Sequence, residues 1–204
     1  LAGAGVSFSL LGIQTARRNL SGLEFASGIP ATVGGAVFMN AGANGRETCE
    51  ALHEVSYVHA DGRIQTFSRP ELQFSYRHSP FQKMSGVIVS VLFRLVSQEG
   101  ARLKQLQIVE HRMQTQPLRE KSAGCIFRNP EGGMSAGALI DRCGLKGVQI
   151  GGAKVSEIHA NFIVNVGGAS SRDVEELISL IQSRVQERTG VFLRPEVRVI
   201  DGSL

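Results

Sequence analysis

Four places in this sequence combine residue types that do chemistry. The longest is residues 27–45, SGIPATVGGAVFMNAGANG, which is crowded with small residues, has little charge, and yet carries Val33, Val37, Phe38 and Met39. Small residues in a semi-apolar run mean that something comes close to the backbone. Gly34 and Gly35 can take conformations closed to other residues and expose N–H groups to an anion or to the carbonyl edge of a flat ring. The same composition also suits a tight turn leading into a buried helix over residues 34–40. The second place is Tyr76-Arg77-His78, where a guanidinium beside an aromatic can pair bidentately with a carboxylate or phosphate, or simply face solvent. The third is Cys125, between Gly124 and Ile126 in a loop after Lys121. A thiol near a cation and backbone N–H groups can serve as nucleophile or proton donor, or as a small buried hydrophobe. The fourth is Glu196, flanked by Arg194 and Arg198. Strand alternation would put all three on one face and keep the carboxylate ionised, in a site or in an ordinary ion-paired surface strand. Glu157 is a weaker acid candidate, and His159 reads as a packing or capping residue. No His/Asp/Glu set has metal-ligand spacing, and no Ser–His–Asp order stands out.

These groups need elements to hold them. A short helix is expected around residues 11–20. Two alternating runs flank Asp61-Gly62 within residues 55–67, a hairpin signal. Residues 72–76 lead into Arg77 as a strand end, and the β-branched run 86–96 reads as a strand. Composition changes at residues 97–100, SQEG, which sets a domain boundary after residue 98. Residues 101–115 read as a helix with Leu103, Leu106, Val109 and Met113 as its apolar side. Residues 122–130 read as a glycine-containing loop, 135–143 as a helix stopped by Gly144, and 161–166 as a strand. Residues 172–188 form the clearest helix, capped by Ser170 or Ser171 and stopped by Gly190. A final strand is expected over residues 191–200. Domains 1–98 and 99–204 follow, both of α+β class.

Charge narrows the partners. With 22 basic against 18 acidic residues the net is +4 and scattered, so no nucleic-acid surface is indicated, and a phosphorylated or carboxylated small molecule suits it better. No apolar run reaches the roughly 20 residues that span a bilayer, and no secretory signal is visible. Three cysteines without a CxxC favour reduced thiols in a cytoplasmic protein. The chain opens at Leu1 in what reads as the inside of a folded region, so an upstream segment is expected.

Taken together, SGIPATVGGAVFMNAGANG, FSYRHSPF, QPLREKSAGCIFRNP, AGALIDRCGLKG, GGAKVSEIHANFIVN and RPEVRVI resemble, in order, the motifs of the UDP-N-acetylenolpyruvoylglucosamine reductase family. The likeness is to the branch lacking an extra substrate-covering loop. It implies the later part of a flavin-binding α+β domain of the vanillyl-alcohol-oxidase (PCMH-like) type, followed by a small α+β substrate-binding domain. It also implies the reaction. NADPH reduces FAD, and the reduced flavin passes hydride to the enol ether of UDP-N-acetylglucosamine enolpyruvate, giving UDP-N-acetylmuramate for peptidoglycan synthesis. A monomer without nucleic-acid or membrane partners is expected.

The resemblance also assigns residues. Gly28, Ile29, Pro30, Thr32, Gly34, Gly35, Ala36, Asn40 and Gly42 would contact the flavin. Tyr76, Arg77, Asn129 and Glu196 would contact substrate. Arg77 would hold the substrate carboxylate, Cys125 would give the proton, and Glu196 would assist. Cys125 stands where the family usually has serine; a thiol is the better acid, at the cost of sensitivity to oxidation. Ala31 and Asn44 replace a usual glycine and tyrosine. The family's GGGSN loop, which cradles the flavin pyrophosphate, is expected upstream of Leu1, and without it FAD binding is expected to be weak or lost. Another FAD-linked oxidoreductase of the same superfamily, or a nucleotide-sugar-binding fragment without catalysis, are the alternative readings.

Overall fold

The computed structural model describes residues 1–200. The chain packs as two compact units, Leu1–Arg112 and the residues from Met113 on.

The first unit is built on an antiparallel sheet of order β1-β7-β5-β6, from β1 (Ala2–Gly3), β5 (Leu52–His59), β6 (Ile64–Ser68) and β7 (Gly86–Phe93). The expected hairpin joins β5 to β6. Val58 pairs with Ile64, and Gly62 turns the chain at φ +84°, where a side chain would be strained. Leu52, Val55 and Tyr57 of β5 point into the core, where Tyr57 stacks on Phe81 at 5.4 Å. Helix α1 (Phe8–Arg17) begins earlier than the apolar spacing suggests, because Ser7 accepts the Leu10 N–H as N-cap. Helix α2 (Val33–Phe38) is capped by Thr32 and lies against β7. The remaining pieces are short: β2 (Leu20–Ser21) on β8 (Val96–Ser97), β3 (Gly42–Ala43) on β4 (Arg46–Glu47), and α3 (Thr48–Ala51).

Helix α4 (Ala101–Thr115) has the expected span and the opposite orientation. It buries Ala101, Gln105 and Arg112, while Leu103, Leu106 and Met113 stay 61%, 46% and 61% exposed. Polar partners explain the difference. Lys104 lies 3.7 Å from the buried carboxylate of Glu24, and Arg112 Nη2 donates to the Gly28 carbonyl at 2.9 Å. A buried charge left unpaired costs more than an exposed leucine gains by burial. The compositional change at 97–100 therefore marks the start of a helix whose first residues, through Arg112, belong to the first unit.

The second unit is a sheet of order β10-β11-β12-β9, from β9 (Ser122–Cys125), β10 (Gln149–Ile150), β11 (Ala153–Val155) and β12 (Phe162–Asn165). Residues 122–125, expected as loop, are thus an edge strand. Helix α5 (Ala136–Arg142) is capped by Ser135. Helix α6 (Ser171–Thr189) has a Ser170–Asp173 capping box and ends on Gly190 in the left-handed conformation at φ +73°. Its apolar stripe packs Leu177, Ile181 and Val185 against Ile126, Phe127 and Ile140. The strand expected over 191–200 is absent among the described residues. Pro195 pairs as an isolated bridge to Phe127, and the Ile126 N–H that would extend the ladder to Glu196 goes instead to the Asn161 carbonyl.

Candidate active site

Arg77 does not follow a strand. It sits in a tight turn closed by Ser75 and His78, which exchange hydrogen bonds of 3.2 and 2.9 Å. Its φ is +55°, a left-handed conformation that costs a non-glycine residue about 1–2 kcal/mol. The surroundings hold it there. Asn40 donates to the Ser75 carbonyl at 3.0 Å, and Gln82 donates to the Arg77 carbonyl at 3.1 Å. The guanidinium lies 4.9 Å over the Tyr76 ring and donates to the Gly42 carbonyl at 3.3 Å. Ser79 and Gln82 both donate to the Phe38 carbonyl, at 2.6 and 3.0 Å, and so tie the turn to the end of α2. The small-residue segment and the arginine are thus brought together.

Asn40 is the hub of that contact. It is fully buried, with Nδ2 on Glu47 at 2.8 Å and on the Ser75 carbonyl, and with Oδ1 accepting the Cys49 N–H at 3.1 Å. Its amide is spent inside the protein. Ala36 is likewise buried in the core. Gly34 and Gly35 are helical, and their N–H groups do not face outward. Gly34 donates to the Ala4 carbonyl at 2.9 Å and Gly35 to Thr32 Oγ1 at 3.1 Å. Gly34 is glycine because a Cβ would come within 2.9 Å of the Ala4 Cβ. Gly42 is glycine because a Cβ would come within 2.5 Å of the Arg46 carbonyl oxygen.

In the second unit, Cys125 closes β9 opposite Phe162 and is half-buried, whereas Cys143 is buried. The segment carrying Glu196 is joined through the backbone to the residues that follow Cys125. The Glu196 N–H donates to the Ile126 carbonyl at 2.7 Å, and the Arg128 N–H donates to the Arg194 carbonyl at 2.9 Å. Asn129 Oδ1 accepts the Ala136 N–H at 3.0 Å, steadying the start of α5. Glu157 is exposed and paired with Lys154 at 3.0 Å. His159 packs edge-on to Phe162 at 4.9 Å and accepts the Asn161 N–H at 3.2 Å; burial pushes its pKa down.

Known proteins share this fold. A crystal structure of UDP-N-acetylenolpyruvylglucosamine reductase from Thermus caldophilus superposes with a TM-score of 0.82 at 43% identity, covering 96% of this chain and 70% of that one. A UDP-N-acetylenolpyruvoylglucosamine reductase of Chlamydia trachomatis serovar L2 is 49% identical over 197 residues, 97% of this chain and 67% of its own length. This chain belongs to the UDP-N-acetylenolpyruvoylglucosamine reductase family. The family's C-terminal domain matches residues 116–200, and an FAD binding domain matches residues 1–68. The relative from Protochlamydia amoebophila is 57% identical over 198 residues, and the chain spans 66% of that relative's length.

The first unit fits the ring end of a flavin. Residues 4–8 and 31–34 are zipped by three hydrogen bonds, Phe8 N–H to the Ala31 carbonyl, Val33 N–H to Val6 and Gly34 N–H to Ala4, each 2.8–2.9 Å. Beside the seam, Gly3, Gly5, Pro30, Thr32 and Gly35 are exposed together with Val6 and Ser7, and a Cβ at Gly3 or Gly5 would meet nothing within 4 Å. A shelf this poor in side chains lets a flat ring approach the backbone. Gly28 and Ile29 border it half-buried, with the Gly28 N–H on Ser9 Oγ at 2.7 Å. The spent N–H groups of Gly34 and Gly35 make the shelf a poor cradle for phosphate. Sequence reasoning missed Gly3, Gly5, Gln82 and Asn161. The first two were legible as small residues in LAGAG; the polar pair carried no local signal.

Proposed function

We propose that this chain is part of an NADPH-dependent flavoprotein that reduces UDP-N-acetylglucosamine enolpyruvate to UDP-N-acetylmuramate in the cytoplasm, as a monomer. The observation that carries the reading is the Arg77 turn. A guanidinium held on a strained backbone by Asn40 and Gln82 is pre-organised for a planar anion. FAD, when bound, supplies the hydride that it takes from NADPH, and Gly3, Gly5, Pro30, Thr32 and Gly35 would hold its ring system. Arg77 pairs with the substrate carboxylate, into which negative charge spreads when the enol ether carbon accepts hydride. That pairing strengthens as charge develops, so it lowers the barrier rather than only tightening binding. Tyr76, under the guanidinium, helps to hold the orientation of the planar fork. Cys125 gives its S–H proton to the neighbouring carbon and is left as thiolate. Glu196 assists that transfer, and Asn129 contacts the substrate from the loop before α5.

The full-length protein settles it. It should be yellow, and NADPH oxidation should require the enolpyruvyl nucleotide. A protein that consumes oxygen with a hydroxy acid, or one that stays colourless, would refute the reading.

A further inference from the structure

The reading of Cys125 and Glu196 as partners in proton transfer leaves open what fixes one relative to the other. Neither sits in a continuous ladder with the other. Cys125 ends β9, and Glu196 lies in a segment joined to the sheet by the isolated Phe127–Pro195 bridge. What connects them is the peptide of Ile126, whose carbonyl accepts the Glu196 N–H at 2.7 Å. That peptide is in turn held by one residue. The Asn161 backbone carbonyl accepts the Ile126 N–H at 2.8 Å. The Asn161 side chain takes both ends of the next residue, with Oδ1 accepting the Phe127 N–H at 2.9 Å and Nδ2 donating to the Phe127 carbonyl at 2.8 Å.

We infer that Asn161 is a positioning residue for the reaction: by gripping the Ile126–Phe127 main chain it sets the spacing between Cys125 and Glu196. The chemistry of the side chain supports this. Only an amide carries a donor and an acceptor side by side, as a strand neighbour would, and asparagine is the shorter of the two amides. Asn161 is 3% exposed, so water cannot replace either bond cheaply. In the register set by Phe162 and Cys125 it stands opposite Ile126, one residue before β12 begins, and its side chain reaches on to Phe127, where β12 no longer supplies a partner. A side chain here does the work of a strand, and it does so at the residues between the two acids.

The test is a coupling measurement in the full-length protein. Cys125 is alkylated with iodoacetamide across a pH series, and its peptide is quantified by mass spectrometry. If Asn161 holds the two groups together, replacing Glu196 by Gln removes a negative charge from beside the thiol, so alkylation of Cys125 near neutral pH should rise about threefold, as for a half-unit fall in thiol pKa. The same replacement in an Asn161→Ala background should leave the rate almost unchanged. A threefold response that survives Asn161→Ala overturns the inference, as does the lack of any response in the parent. If Asn161→Ala loses the parent's far-UV spectrum, Asn161→Asp decides by the same comparison, since it keeps an acceptor for the Phe127 N–H and sets an oxygen against the Phe127 carbonyl. A protein that shows the coupling but never reduces the enolpyruvyl nucleotide would sink the proposed function and leave the positioning role standing.

Discussion

Gln82 donates its side-chain amide to the carbonyl of Arg77 at 3.1 Å and to that of Phe38 at 3.0 Å. One neutral side chain thus bridges the strained arginine turn and the end of α2. Gln82→Ala should cost about 1–2 kcal/mol of stability for the two lost bonds. In the full-length enzyme it should lower kcat/KM for the enolpyruvyl substrate about tenfold, with flavin reduction by NADPH unchanged. Denaturant melts and half-reaction kinetics check this; a stability loss without the kinetic one would make Gln82 a purely structural residue.

Arg77→Lys keeps the charge and loses the fork. Lysine offers a point donor in place of a planar pair and cannot stack on Tyr76 in the same way. The expected outcome is a fall of at least about a hundredfold in kcat/KM, the equivalent of roughly 3 kcal/mol of charge stabilisation. Near-normal turnover would remove Arg77 from the carboxylate role.

Cys125→Ala should leave flavin reduction by NADPH intact and stop substrate reduction, because in the proposed role the thiol acts only in the second half of the cycle. Cys125→Ser should retain turnover and extend the alkaline limb upward, since a hydroxyl does not ionise where a thiol does. Stopped-flow measurement of the two half-reactions and a pH–rate profile decide both points. Unchanged substrate reduction in the alanine variant would end the assignment.

Glu24 is 2% exposed and accepts from Ser21 Oγ and the Gly22 N–H, each at 2.7 Å, with Lys104 at 3.7 Å. Burial alone pushes its carboxyl up, but the two hydrogen bonds and Lys104 together hold it below the ordinary value of 4.5. A depressed folded-state pKa means that the unfolded chain binds the proton more readily. The stabilisation is therefore full above about pH 4.5 and lost as pH falls through the folded value. Glu24→Gln should cost about 2 kcal/mol near neutral pH and flatten the acid limb of a Tm–pH curve. An acid limb of parent steepness in the variant would place that sensitivity elsewhere.

What the sequence disclosed depended on the range of the interaction. Asp61-Gly62 located the hairpin and Ser170 with Gly190 located α6, because turn and cap chemistry is complete within a few residues. Helix α4 was found by its period and turned the wrong way. Glu24 and Gly28, some 80 residues upstream, claim its polar face. The small-residue run and Tyr76-Arg77 announced themselves by composition, but not that Asn40 clamps one to the other. Residues 191–200 alternate as a strand should, but Asn161 takes the Ile126 N–H that would extend their pairing, and a single bridge is left. Local patterns carried the elements; the contacts that hold the candidate groups are between residues far apart in the chain.

Neighbouring glycines should separate packing from ligand contact. At Gly34 a Cβ would press within 2.9 Å of the Ala4 Cβ, on the seam that joins residues 4–8 to 31–34. Gly34→Ala should therefore cost about 1–3 kcal/mol as the seam is forced open. At Gly35 the nearest atom is Thr32 Oγ1 at 3.3 Å and the residue is exposed. There alanine's gain in helix propensity is set against a small shift of the cap, so Gly35→Ala should stay within about 0.5 kcal/mol of the parent. A methyl group on the shelf would still lift a flat ring from the backbone, so Gly35→Ala in the full-length protein should release flavin more easily. Fluorescence of released flavin, read beside the melting curve, tests the pair. Equal melting points for the two variants would contradict the packing argument, and undiminished flavin retention in Gly35→Ala would contradict the shelf.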